Sequence, residues 1–103
     1  MVSRIDQLLE MLREDANDPF LHYALGLELA KKKNYQEAMS SFQKTISLNE
    51  DYVAAYYQLG IIFIEIDIID VAKTYIQKGI EKAQHNKDFK SKRELEELIE
   101  GIE

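Results

Sequence analysis

Apolar side chains return every three or four positions along most of this chain, and short polar runs break them into segments. Val2, Ile5, Leu8, Leu9 and Leu12 form the first stripe, with Ser3 placed to cap a helix over 1–16. Asp18-Pro19 marks a new start, because aspartate accepts from orphan helix N–H groups and proline suits the first helical position. Phe20, Leu21, Ala24, Leu25, Leu29 and Ala30 carry that helix to about Lys31. After a Lys/Asn turn, Tyr35, Ala38, Met39, Phe42, Ile46 and Leu48 predict a third helix that stops before Asn49-Glu50-Asp51.

The pattern then starts again. Residues 53–65 predict a fourth helix, with Ala55, Tyr56, Leu59, Gly60 and Phe63 on its core side. Residues 69–84 predict a fifth, with Ala72, Tyr75, Ile76, Gly79 and Ile80. Beyond His85-Asn86-Lys87-Asp88, Leu95, Leu98, Ile99 and Ile102 predict a sixth. Ile61-Ile62-Phe63-Ile64 and Ile68-Ile69 are rich in β-branched residues and favour a strand on local propensity. Glu28-Leu29-Ala30 fills the same slots one period earlier, and that periodicity keeps the segment helical.

The period is 34 residues. It sets Tyr23 on Tyr57, Leu25-Gly26 on Leu59-Gly60, Ala38 on Ala72, Gln43-Lys44 on Gln77-Lys78, and Ile46 on Ile80. A helix–turn–helix unit of this length cannot bury its apolar face alone and must stack on a neighbour. The expected fold is therefore all-α: a repeat solenoid of six helices in a single domain. Its parts are an N-terminal capping helix at 1–16, repeats at 19–52 and 53–86, and a C-terminal capping helix at 87–103.

Composition narrows the function. A net charge of −6 repels phosphate backbones, which argues against nucleic acid as a partner. Lys31-Lys32-Lys33 is the one basic run, and it sits where a helix C-terminus favours cations. Cysteine is absent, which removes disulfides, thiolate nucleophiles and thiolate metal sites. The N-terminus lacks the apolar core of a signal peptide, and the apolar stretch at 61–69 is interrupted by Glu65 and Asp67. A soluble, cytoplasmic protein with no membrane partner is expected.

Candidate chemistry is thin. Asp18 and His22 lie four positions apart and share a helix face, the spacing of a metal pair. His22 also occupies the slot of a large packing side chain, and packing is the stronger reading. His85 falls at a helix end, and Glu94, Glu96, Glu97 and Glu100 make an acidic set with no histidine, cysteine or activated serine beside it. No phosphate loop, zinc motif or hydrolase elbow occurs. The expectation is a non-enzyme without metal or cofactor.

Two segments carry a family resemblance. The first reads His22-x₂-Leu25-Gly26-x₂-Leu29 followed by Ala38-x₃-Phe42. The second reads Tyr56-x₂-Leu59-Gly60-x₂-Phe63 followed by Ala72-x₃-Ile76. They resemble the tetratricopeptide repeat, W-x₂-L-G-x₂-Y then A-x₃-F then P, with Glu50 and Gln84 where proline is common. Small residues fall where two helices must approach closely: Gly26, Gly60, Ala38 and Ala72. In the last helix Arg93-Glu94 replaces Leu-Gly, and its charges suit a solvated cap. The whole looks like a small free-standing bacterial protein of this class.

The resemblance implies an interaction module, an adaptor or scaffold, whose first repeat helices line a concave groove for a peptide or helix of another protein. It places Tyr23, Leu27, Ala30 and Lys31 there from the first unit, and Tyr57, Ile61, Ile64 and Glu65 from the second. Relatives that grip acidic chaperone tails use Lys, Asn and Arg at positions that here hold Tyr23, Leu27, Gln58, Asp88 and Lys92, so only Lys92 supplies the charge. Tyr23/Leu27/Ala30 and Tyr57/Ile61/Ile64 instead form apolar stripes beside the core face of Leu25, Gly26, Leu29 and of Leu59, Gly60, Phe63. A second apolar face means a further packing layer or a binding surface. The alternative function is homo-oligomeric assembly, a homodimer using the same stripe or the Ile66/Ile68 edge.

Overall fold

The computed structural model describes residues 2–103, and among these it has six α-helices and no strand. They are α1 (Arg4–Glu14), α2 (Pro19–Lys31), α3 (Tyr35–Leu48), α4 (Val53–Glu65), α5 (Ile69–His85) and α6 (Phe89–Glu100). All six predicted helices are present. The two terminal ones are shorter than the 1–16 and 87–103 segments assigned to them. Contacts gather into two compact units, one ending at Glu50 and one beginning at Asp51.

In the first unit, α1 begins at a capping box. The Ser3 hydroxyl accepts the Asp6 N–H at 3.1 Å, and the Asp6 carboxylate accepts the Ser3 N–H at 3.4 Å. Asp18 caps α2 by accepting the Phe20 N–H at 2.9 Å, with Pro19 at the first helical position. Helices α2 and α3 form a hairpin, closed where Gly26 lies against Phe42. A Cβ at Gly26 would sit 2.6–2.8 Å from three atoms of that ring. The Tyr23 ring tilts onto Phe42 at 5.5 Å between centroids.

Thr45 is fully buried on α3, a position the apolar stripe had given to Ile46, which is only half-buried. The reason is that the Thr45 hydroxyl donates to its own helix, to the Ser41 carbonyl at 2.9 Å, so no polar group is left unmatched.

The second unit repeats the hairpin with α4 and α5 and adds α6 against them. A Cβ at Gly60 would lie 2.7 Å from Ile76 Cγ1, and one at Gly79 would lie 2.9 Å from Tyr56 Cβ and 3.1 Å from Leu95 Cδ1. These glycines are where the helices cross. Val53, Ala72, Ile76, Ala83, Leu95 and Ile99 form the buried cluster of this unit. The β-branched run 61–64 lies inside α4, as the period predicted against local propensity. Its inward member is Ile62, 2% exposed, rather than Phe63. Phe63 is half-buried and stacks on Tyr75 at 5.6 Å and 8°.

Three helices end in the same turn. Lys33, Asp67 and Lys87 are left-handed, with φ of 61°, 63° and 58°. After each, the next N–H reaches five residues back: Asn34 to Leu29 O at 3.0 Å, Ile68 to Phe63 O at 2.8 Å, Asp88 to Ala83 O at 2.8 Å. These are the paired bonds that close a helix C-terminus when one residue turns left-handed. Lys33 and Asp67 are one period apart, whereas Lys87 follows Asp67 by only 20 residues. Thus α6 folds back on α5 through the turn that joins the two helices inside each repeat.

Candidate protein-binding face

The residues assigned to a groove divide according to what their side chains touch. On α4, Tyr57 and Ile64 are half-buried and pack against the apolar cluster of their own unit. Ile61 lies one turn from each and is 36% exposed, and Glu65 at the helix end is also exposed. On α2, Tyr23 leans on Phe42, and Leu27 and Ala30 are half-buried. Lys31 is exposed, its Nζ donating to Glu28 at 3.1 Å. Exposed i,i+3 pairs of this kind contribute little to stability, so Lys31 remains available to other anions.

Ile61 is therefore the apolar stripe residue of α4 that its own unit leaves most open. A helix repeats every 3.6 residues, so an apolar run of four places one side chain outward whatever the others do. Other apolar residues are exposed too: Leu9 and Phe20, which the stripes included, Ile68, which the sequence set at an edge open to self-association, and Val71 and Phe89, which no stripe contained. Val71 and Phe89 sit in the first turns of α5 and α6, ahead of the core-facing positions that define each stripe.

The polar candidates take structural roles. His22 Nε2 lies 2.7 Å from the Ala16 carbonyl. A carbonyl only accepts, so the ring donates, and it clips the α1–α2 turn to α2. Asp18 is spent on its cap. No group of three or more His, Cys, Asp or Glu among the described residues could hold a metal. Asp88 caps α6 by accepting the Ser91 N–H at 3.2 Å. Its carboxyl is held below the ordinary aspartate range by hydrogen bonds from the Ser91 side chain and backbone, with a smaller contribution from the Lys90 charge. No helix among the described residues is long and apolar enough to cross a membrane.

Comparison with known proteins decides the family. A family model of the tetratricopeptide repeat matches residues 19–52, which contain α2 and α3. The solution structure of a tetratricopeptide repeat domain protein from Salinibacter ruber is similar over 84% of this chain and 87% of its own, with 34% identity and a TM-score of 0.79. This chain belongs to the tetratricopeptide repeat family. A crystal structure of the Salinibacter ruber tetratricopeptide repeat domain protein agrees at 35% identity and a TM-score of 0.76, over 84% of this chain and 99% of that one. The crystal structure of MamA is similar at 25% identity and a TM-score of 0.79 over 82% of this chain, which spans 49% of MamA. Among curated proteins nothing matches significantly.

The tetratricopeptide repeat assignment explains why Gly26 and Gly60, and the left-handed Lys33 and Asp67, recur at one spacing. It also sets the general kind of work, since repeats of this family mediate protein–protein interaction and are typically non-catalytic.

Proposed function

We propose that this chain is an adaptor or scaffold in which the first helix of each repeat offers its own ridge to an apolar helix or extended peptide of another protein. On α2 the ridge is Tyr23, Leu27, Ala30 and Lys31; on α4 it is Tyr57, Ile61, Ile64 and Glu65. The observation that carries the reading is Ile61, 36% exposed in mid-helix while its neighbour Ile62 is 2% exposed. Tyr57 and Ile64 are held from behind by the core of their own unit, so they offer pre-ordered flanks to whatever covers Ile61. Little side-chain entropy is then lost on binding. Lys31 and Glu65 act at the rim, where charges set orientation and encounter rate more than affinity.

The test pairs two adjacent substitutions. Ile61→Lys should leave the melting temperature nearly unchanged, within about 0.5 kcal/mol of stability, as exposed substitutions do. It should weaken capture of a partner about tenfold or more. Ile62→Ala, the control, should cost about 2–5 kcal/mol. A melt of Ile61→Lys as damaged as that of Ile62→Ala would show that the α4 ridge is core and sink the reading.

A second reading is self-association. It is favoured by Ile68 and Val71, 43% and 37% exposed and about one turn apart where α5 begins. Light scattering behind size exclusion separates the two. Adaptor function predicts a monomer, while self-association predicts a dimer abolished by Ile68→Lys.

A further inference from the structure

We infer that α6 can be exchanged between two copies of this chain: a second copy's α6 takes the seat on α4 and α5, and the α5–α6 turn straightens into one continuous helix. The seat is specific in shape. Leu95 and Ile99 are buried in it, and Leu98 and Ile102 pack at its edge. Gly79 and Gly60 shape its floor, since a Cβ there would come within 3.1 Å and 3.6 Å of the Leu95 and Leu98 side chains. A seat this apolar must be refilled whenever α6 leaves. The segment known to fit it is α6 itself, with apolar residues at 95, 98, 99 and 102 and a charged outer face that stays in water in either form.

The turn supplies the reason to open. Lys87 sits at φ 58°, a conformation that L side chains adopt at a disadvantage of about tenfold or more in population. Continuous helix removes that disadvantage. Nothing in the sequence forbids it, because no glycine or proline lies between Ile80 and Glu100. The left-handed turns at Lys33 and Asp67 are different in consequence. Opening at Asp67 parts α4 from α5 and α6 together, whereas opening at Lys87 releases one helix whole. In the exchanged pair every α6 contact is remade in trans, so the hinge and the loss of free diffusion are the main changes.

The experiment uses the full chain, concentrated, warmed briefly to the onset of melting, cooled and passed over size exclusion with light scattering. The expected result is a dimer that persists on dilution with its helical signal undiminished. Lys87→Gly relieves the turn in the closed monomer, so with two hinges per dimer the association constant should fall about a hundredfold. Asp88→Ala removes the cap that starts α6 at Phe89 and should raise it. Ile61→Lys and Ile68→Lys should leave it unchanged, which keeps this exchange distinguishable from partner binding and from pairing through the α5 edge. Monomer at every concentration after warming would overturn the inference. So would a dimer equally strong in Lys87→Gly, or one abolished by Ile68→Lys.

Discussion

In the unit that ends at Glu50, α1 precedes the α2–α3 hairpin, packs on α2, and contributes one fully buried side chain, Leu8. In the unit that begins at Asp51, α6 follows the α4–α5 hairpin, packs mainly on α5, and buries Leu95 and Ile99. The hairpins are copies, but the extra helix joins each one differently. Helix α1 reaches its hairpin through a capped turn that His22 clips at the Ala16 carbonyl. Helix α6 returns through a left-handed residue. The crossings differ too: Gly26 faces the flat ring of Phe42, and Gly60, one period later, faces the aliphatic Ile76. A repeat therefore conserves the closeness of its helices while changing what fills the gap.

The largest effect should come from bulk at these crossings. Leucine at Gly26, Gly60 or Gly79 should abolish the cooperative melt or lower stability by about 1–3 kcal/mol or more, read by thermal circular dichroism. Alanine sharpens the contrast. Gly26→Ala meets a buried ring and Gly79→Ala meets Tyr56 Cβ, which moves only with its backbone. Gly60→Ala brings one atom, Ile76 Cγ1, inside 3.0 Å where Gly26→Ala brings three of a ring, and like the others it gains about 1 kcal/mol of helix propensity. It should be the mildest of the three, and equal damage at Gly26 and Gly60 would break the comparison.

Next come the helices that flank the hairpins. Leu8→Ala and Leu95→Ala should each cost about 2–5 kcal/mol. Hydrogen exchange should locate the losses differently, in α1 and α2 for the first and in α5 and α6 for the second. Loss spread evenly over all six helices in both variants would mean that the two units open together. Smaller again is the cap of the first hairpin: Asp18→Ala should cost about 1 kcal/mol, and Asp18→Asn should restore most of it.

The smallest effect is a pH dependence confined to α6. The folded-state pKa of Asp88 lies below its ordinary value of 3.8. The stabilisation it gives is therefore complete above that value and is lost as pH falls through the lower, folded-state one. The Ser91 amide should exchange faster with solvent, relative to amides of α3, as the solution is acidified below about pH 4. Asp88→Asn keeps a cap without the titration and should flatten that dependence. A Ser91 amide indifferent to pH in the parent chain would show that the Asp88 carboxylate does not hold it.

Much of the architecture was legible in sequence because it rests on local rules that repeat. The 3.6-residue stripes, the Asp18-Pro19 start and the 34-residue echo of Leu25-Gly26 specify hairpins whatever surrounds them. The same echo overruled the strand propensity of 61–64, since one unit constrains the other. What the stripes left open was which of two adjacent apolar residues turns inward. Ile62 rather than Phe63, and Thr45 rather than Ile46, are buried, because 3.6 residues per turn lets a small rotation of a helix exchange neighbours. Only the packed units settle that rotation. The sequence alone determined the fold class and the positions where helices must touch. The tertiary structure decided that Tyr57 and Ile64 rest on their own core while Ile61 does not, and that α6 folds back on α5, because both depend on how far a neighbouring helix reaches.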